Sequence, residues 1–297
     1  EMLRSLVGSE MCIRDRRLPD EALQHAAGAG DHLPHGGSAL TSLPLLEPAS
    51  QVPPDTRCFD EAAAAQMERF VRDFGRMYRE RNEALREVTR AHHAALLHLS
   101  AAADLKDDDT GVHIVRIGYL AEALALALGQ TVGYARMLRK AAPMHDIGKI
   151  GTPDSVLKKP GKLTPEERQT MNCHAAMGAE ILGRSQIPVF RMAAEVALTH
   201  HERYDGQGYP AGLAGDAIPL SGRITAVVDL FDALTMDRVY RPAFTVPVAL
   251  EMLAAERGRA SDPVIVDTFL AHAAAIDALR CKITQECPSF DALIDAP

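Results

Sequence analysis

From about Asp109 to the C-terminus, apolar residues recur at helical spacing in segment after segment, and few stretches alternate as strands should. The segment His113–Leu128 carries Ile117, Leu120, Leu124 and Leu128 on one face and stops at Gly129. Tyr134–His145 reads as a second helix, broken afterwards by Gly148 and Gly151. Thr164-Pro165-Glu166-Glu167 is a capping box with proline at the first helical position, which predicts a helix to about Leu182. Further helices are predicted over Val189–Glu202, Arg223–Leu234, Val246–Arg257 and Pro263–Ala278. Trp is absent and aromatic residues make up only 5% of the chain, a balance that favours helices over strands. The expectation is an all-α domain from roughly residue 100 to 290.

The chain ahead of that domain has a different character. Ser5-Leu6-Val7-Gly8-Ser9-Glu10-Met11-Cys12-Ile13-Arg14-Asp15 resembles a translated sequencing-adapter read, so residues 1–16 carry no functional weight and a genuine N-terminal domain is expected to be missing. Up to residue 57 the composition, rich in Gly, Pro, Ser and His, predicts a disordered linker. Residues 58–104 then read as one connecting helix. Met67, Phe70, Phe74 and Met77 form a short heptad-like seam that fades at Arg81. That seam predicts a signalling or dimerisation helix, with simple packing on the following domain as the alternative.

Charge and cysteine usage narrow the partners. A net charge of −8 disfavours duplex nucleic acid, which needs a basic face, but leaves room for a small anionic ligand gripped by metals and a few cations. Five cysteines, none in a CxxC pair, predict reduced thiols in a cytoplasmic protein. No apolar run reaches the ~18 residues of a membrane span, and no clear signal peptide is present.

The chemistry lies in histidines and carboxylates placed near predicted helix ends. A lone histidine on a helix is usually a packed or surface residue. Here Asp109, His113, His145, Asp146, His174, His200, His201 and Asp229 recur together, and neutral imidazoles with carboxylates suit divalent transition metals. His145 and Asp146 are adjacent near a helix terminus, where neighbouring side chains can diverge toward two metals. His200 and His201 stand likewise just before a Gly-rich loop. His174 and Asp229 sit inside apolar helices, where an ionisable group needs a partner.

These residues carry a resemblance. His145-Asp146-Ile147-Gly148-Lys149-Ile150, then Lys159-Pro160-Gly161-Lys162-Leu163-Thr164, then His200-His201-Glu202-Arg203-Tyr204-Asp205-Gly206-Gln207-Gly208-Tyr209-Pro210 resemble the HD-GYP family, over roughly residues 100–280. The family belongs to the HD superfamily of metal-dependent phosphohydrolases and typically hydrolyses cyclic di-GMP. The resemblance implies an HD-domain helical bundle over 105–290 and hydrolysis of cyclic di-GMP to pGpG, and onward to GMP, with two iron or manganese ions. It places metal ligands at His113, His145, Asp146, His174, His200, His201 and Asp229. Asp109 stands where members with a third metal carry Glu, and the shorter side chain leaves a third metal open. Lys149 matches the lysine near the scissile phosphate, and Arg238 and Arg241 match the phosphate-binding cations, with Val239 replacing the usual Pro. Gly208 and Tyr209 are expected beside the substrate.

The implied chemistry is physically coherent. Two metals ~3.5–4 Å apart can clamp phosphate oxygens during in-line displacement, and a carboxylate such as Asp146 has an oxygen for each. An alternative from another class is a catalytically weak signalling module whose Gly-Tyr-Pro surface binds a partner such as a diguanylate cyclase. His92, His93 and His98 read as surface or interface residues, Asp232 as a packing or supporting group, and Asp205 as a residue ordering its loop.

Overall fold

The computed structural model describes residues 56–106, 111–237 and 242–295. The chain divides into residues 1–63, of which only the start of the first helix is described, and residues 64–297, which hold the helical core. The architecture is all-α, as the periodicity implies. No strand occurs among the described residues, only isolated bridges at Asp205–Ala214 and Arg257–Ser261. None of the described helices is long and apolar enough to cross a membrane.

Helix α1 (Thr56–Lys106) changes character along its length. Met67, Phe70, Phe74 and Met77 are all more than half exposed, so the seam faces away from the core. From His93 onward one face turns inward: His93, Leu97, Ser100 and Asp104 are all buried, at 4-3-4 spacing. Leu97 packs in a cluster with Ile114, Ala141, Met144, Ile147 and Phe190. His93, read from sequence as a surface or interface residue, is buried, because its Nε2 donates to the Lys140 carbonyl at 2.9 Å and its ring meets Phe190 edge-on.

Helix α2 (Val112–Ala127) runs through the centre and serves two cores. Ile114 and Val115 join the cluster around Leu97 and Phe190. Ile117, Leu120, Leu124 and Ala125 join a second cluster with Val227, Phe231 and Phe269. Each fully buried side chain of this size contributes about 1.5–3 kcal/mol. Gly129 follows at φ +75°, the left-handed conformation that ends a helix cheaply only at glycine.

Helix α3 (Val132–Ala141) starts at Thr131, whose hydroxyl accepts from Tyr134 N–H at 3.3 Å. The sequence predicts it to continue to His145. Instead Pro143 ends it, because proline has no N–H for the helix ladder and its ring crowds the preceding turn. Two 3-10 turns follow, Ala142–Met144 and Ile147–Gly151, with His145 and Asp146 between them. After the short α4 (Asp154–Leu157), α5 (Pro165–Gly183) begins with the full capping box. Thr164 Oγ1 accepts from Glu167 N–H, and Glu167 Oε2 accepts from Thr164 N–H at 2.8 Å.

Helix α6 (Pro188–Thr199) is shorter than the predicted Val189–Glu202, because the chain turns at His200. Helices α7 (Leu220–Leu234) and α8 (Val246–Ala255) follow. The single helix predicted over Pro263–Ala278 is two, α9 (Pro263–Ala271) and α10 (Ala273–Glu286), broken at His272. The break lets Ile276 stay with the second cluster while Ile283 reaches the first beside Leu293 of α11 (Phe290–Asp295).

His93 ties α1 to the end of α3, and burial lowers its pKa, with help from the charges of Lys140 and His92, although the bond to Lys140 O acts the other way. A histidine depressed in the fold contributes full stability above its unfolded value of about 6.5 and loses it as pH falls through that value. In urea unfolding of metal-free protein, the stability advantage of wild type over His93→Gln is expected to shrink between about pH 7.5 and about pH 5.5. An advantage that stays constant or grows would show that burial does not suppress protonation of this ring.

Candidate metal centre

The helix breaks bring the site together. His113 comes from the first turn of α2, His145 and Asp146 from the link between the 3-10 turns, and His174 from the middle of α5. His200 caps α6 with His201 beside it, and Asp229 comes from α7. Every ligand candidate read from sequence except Asp109 falls in one of two groups. Asp146, His174, His200 and His201 form the first, and His113, His145 and Asp229 the second, with donor atoms in each group within 4.8 Å of one another. Asp109, Arg238 and Arg241 lie outside the described residues.

Three of the imidazoles are aimed by the same device. His145 Nδ1 lies 3.0 Å from Ala142 O, His174 Nδ1 2.7 Å from Met171 O, and His200 Nδ1 3.0 Å from Ala197 O. A carbonyl can only accept, so each Nδ1 carries a proton, and in the neutral ring each Nε2 keeps a bare lone pair. Those three Nε2 atoms and Asp146 Oδ1 are buried without a hydrogen-bond partner. Four orphaned acceptors converging in one buried place are costly unless something positive sits among them. The residues therefore fit divalent metal ions, and histidine ligands held through the other ring nitrogen are the usual arrangement.

His113 uses a carboxylate in place of a carbonyl. Its Nδ1 lies 2.7 Å from Asp232 Oδ2, and Arg116 grips both oxygens of Asp232, Nε to Oδ1 at 2.6 Å and Nη2 to Oδ2 at 2.9 Å. Asp232 thus supports His113 from behind. Arg116 escaped the sequence reading, although its signal was present: a charged residue one turn after His113, flanked by apolar Val115 and Ile117.

Asp146 stands between the groups. Its Oδ1 lies 3.2 Å from His174 Nε2 and 3.6 Å from His200 Nε2, while its Oδ2 lies 3.3 Å from His145 Nε2 and 2.8 Å from Lys149 Nζ. Asp229 Oδ1 lies 3.6 Å from His113 Nε2 and 3.8 Å from His145 Nε2. One carboxylate thus offers an oxygen to each group, with a lysine ammonium beside it. Lys149 reaches this place from a 3-10 turn, since the α-helix that would have carried it has already ended.

Two glycines permit the close approach. A Cβ at Gly148 would overlap the His174 carbonyl and the Gly178 nitrogen, so no side chain fits between the turn and α5. Gly208 lies as tightly against the His201–Arg203 backbone. Tyr209 stacks on His201 with ring centroids 4.8 Å apart. Glu202, a second residue without a role in the sequence reading, is buried and accepts from Ala211 N–H at 2.7 Å and Leu213 N–H at 3.0 Å, which pins the far side of the loop. Asp205 orders the near side by accepting from Gln207 N–H at 3.0 Å.

The sequence matches the HD domain family over residues 93–265. The chain belongs to the HD domain family. The resemblance read from the His145-Asp146 and Gly-Tyr-Pro strings is borne out at that level. The HD domain here is similar to the cyclic di-GMP phosphodiesterase response regulator RpfG of Xanthomonas campestris, at 43% identity over 70% of this chain and 53% of that protein. It is similar to a cyclic di-GMP phosphodiesterase of Vibrio cholerae at 44% identity, over 62% of this chain and 40% of the relative. Similarity extends to the 3'3'-cGAMP-specific phosphodiesterase 2 of the same organism, at 42% identity over 63% and 36%. The chain thus spans about half, or less, of the length of these relatives.

The electrostatics of the HD domain centre dictate how metal uptake responds to pH. Burial alone would lower the His145 pKa, but Asp146, Asp229 and Asp104 outweigh it and push it up to about 9. His113 is raised likewise, since Asp232 and Asp229 overcome its burial. Burial would raise the Asp146 carboxyl, yet Lys149 and His145 hold it well below the usual range. Without metal, a proton on His145 partly balances the carboxylates, and a metal must displace it. Apparent affinity for a divalent metal is therefore expected to rise with pH up to about 9, with proton release on binding near neutrality. Titration calorimetry in buffers of different ionisation enthalpy checks this; equal heats in all buffers would contradict it.

Proposed function

We propose that the chain is a metal-dependent phosphodiesterase that hydrolyses cyclic di-GMP to pGpG and onward to GMP in bacterial second-messenger signalling. The observation that carries this reading is the convergence of the bare Nε2 atoms on Asp146, which offers one oxygen to each donor group. Two donor groups sharing a carboxylate suit a pair of ions, and imidazole with carboxylate suits iron or manganese. Such a pair, when bound, supplies a nucleophile at neutral pH and neutralises charge on the phosphate. A third metal would depend on Asp109, and we assign two.

The chain's own groups have separate tasks in this reading. Lys149, held 2.8 Å from Asp146 Oδ2, stabilises charge developing on the phosphate or protonates the leaving 3′ oxygen. Arg238 and Arg241 grip phosphate oxygens with their planar forks. Tyr209, stacked on His201, and Gly208 beside it present the loop to the substrate. Relatives named for cyclic di-GMP and for 3'3'-cGAMP match at nearly equal identity, so the ligand set supports the reaction type more sharply than the base. A purely binding role, with a diguanylate cyclase on the Gly-Tyr-Pro surface, has no use for seven convergent donors. We place the enzyme in the cytoplasm, where free thiols such as Cys173, Cys281 and Cys287 stay reduced.

The decisive measurement is turnover by anaerobically purified protein of known metal content, with cyclic di-GMP and 3'3'-cGAMP as parallel substrates. Wild type is expected to turn over cyclic di-GMP, with His145→Ala and Asp146→Ala at least about a hundredfold slower and depleted in metal. Metal-free wild type, or rates equal to those of the variants, would sink the reading.

Residues 58–104 we read as a connecting helix that feeds the 105–290 phosphodiesterase domain and pairs two chains. The support is the exposed stripe of Met67, Phe70, Phe74 and Met77. Wild type is expected to be a dimer by light scattering, and Phe70→Glu with Phe74→Glu a monomer. A monomeric wild type would reject the pairing.

A further inference from the structure

The last turn of α1 is joined to the turn that carries Lys149 by a single ammonium. Lys106 Nζ donates to Thr152 O at 2.6 Å and to Ile150 O at 3.4 Å, and lies 3.1 Å from Asp154 Oδ1. A lysine in a final helical turn ordinarily serves the carbonyls of its own helix. This one serves carbonyls of a segment distant in sequence, with its side chain three-quarters buried.

The Ile147–Gly151 segment is a short 3-10 helix, tied at its two ends by backbone bonds. Lys149 N–H donates to Asp146 O at 2.9 Å, and Thr152 N–H donates back to Lys149 O at 3.0 Å. A 3-10 helix this short has poorer hydrogen-bond geometry than an α-helix and takes much of its position from its surroundings. On one side α5 provides a rigid wall, with Gly148 against the His174 backbone and Gly151 against Met177. Ile147 is buried in the cluster around Leu97, and the far end of the segment is held by Lys106. Its two carbonyl partners flank Gly151, and one of them belongs to the residue after Lys149. A displacement of the ammonium therefore displaces Lys149 relative to Asp146.

The helix end that holds this clamp is docked but not fully satisfied. Leu97 and Ala103 are completely buried, which fixes α1 on the domain. Yet Ser100 Oγ, Asp104 Oδ2 and Thr152 Oγ1 are buried without hydrogen-bond partners among the described residues. Buried polar groups left open cost stability, so this end of α1 is held less firmly than its apolar contacts alone suggest. Such a contact can shift where a close-packed apolar one would not.

We propose that Lys106 is a positioning residue: it sets the turn that carries Lys149, so that the placement of α1 governs the lysine beside the metal ligands. The kinetic part rests on the phosphodiesterase reading; the mechanical part does not.

The test uses the full chain with Lys106→Met, which keeps the aliphatic stem and removes the charge, and Lys106→Arg, which restores a donor. Metal content, kcat and KM for cyclic di-GMP, and amide hydrogen exchange over residues 147–152 and along α7 are measured together. Lys106→Met is expected to keep its metals and a KM within about twofold of wild type. Its kcat should fall about tenfold or more, the scale expected when a catalytic group is misplaced by a fraction of an ångström to an ångström. Exchange at Lys149 and Thr152 should quicken while α7 is unchanged, and Lys106→Arg should recover most of both effects. Unchanged kcat and exchange would overturn the proposal, as would a loss that spreads to α7 and that arginine does not rescue. If wild type fails to turn over cyclic di-GMP, the functional reading falls. Exchange in the 147–152 turn then decides the coupling alone: quickened in Lys106→Met and recovered in Lys106→Arg supports it, and unchanged exchange rejects it.

Discussion

The arrangement depends on where four of its five imidazoles put their protons. At His145, His174 and His200 a backbone carbonyl takes the Nδ1 hydrogen, and at His113 the Asp232 carboxylate does so. That bond settles the tautomer, holds the ring plane and leaves Nε2 basic and buried. Two of the three carbonyls belong to a helix end or a tight turn, while Met171 O lies inside α5 and accepts from His174 as well as from the helix ladder. Ala142 O lies in the 3-10 turn before His145, and Ala197 O is among the last carbonyls of α6. The helix terminations are thus part of the site as much as the histidines are.

The same need for close approach explains the glycines and the proline. Pro143 stops α3, which frees the chain to place His145 and Asp146 between two tight turns. Gly148 then lets that segment lie directly on α5, so Asp146 comes within reach of His174. The cost is a cluster of unpartnered acceptors in the interior, a cost that apolar packing on both sides has to carry. Such a cluster makes sense in physical terms only if cations occupy it.

Much of this was legible in the residues. The helical periods gave the all-α class, and Thr164 with Glu167 marked the start of α5 to the residue. The His-Asp pair, the His-His pair and the lone His174 and Asp229 stood out as polar groups in apolar surroundings. What failed were the end of α3, the break at His272 and the burial of His93. The end of α3 follows from Pro143, a local signal that was passed over, whereas the break at His272 and the burial of His93 were decided by what packs against them. Arg116 and Glu202 escaped for a related reason: the apolar neighbours of Arg116 marked it, but the role of a buried charge shows only when its partners are known. For Arg116 that partner, Asp232, lies on another helix.

By itself, then, the sequence determined which elements form and which side chains have the chemistry for a metal centre. Both follow from interactions within a few turns: hydrophobic period, caps, proline and glycine. Only the tertiary structure decided that these side chains sort into two groups around Asp146, that Asp232 and Arg116 stand behind His113, and that Lys106 reaches the turn of Lys149. These are contacts between distant segments, set by how two apolar clusters share α2 and by where backbone carbonyls run out of helical partners.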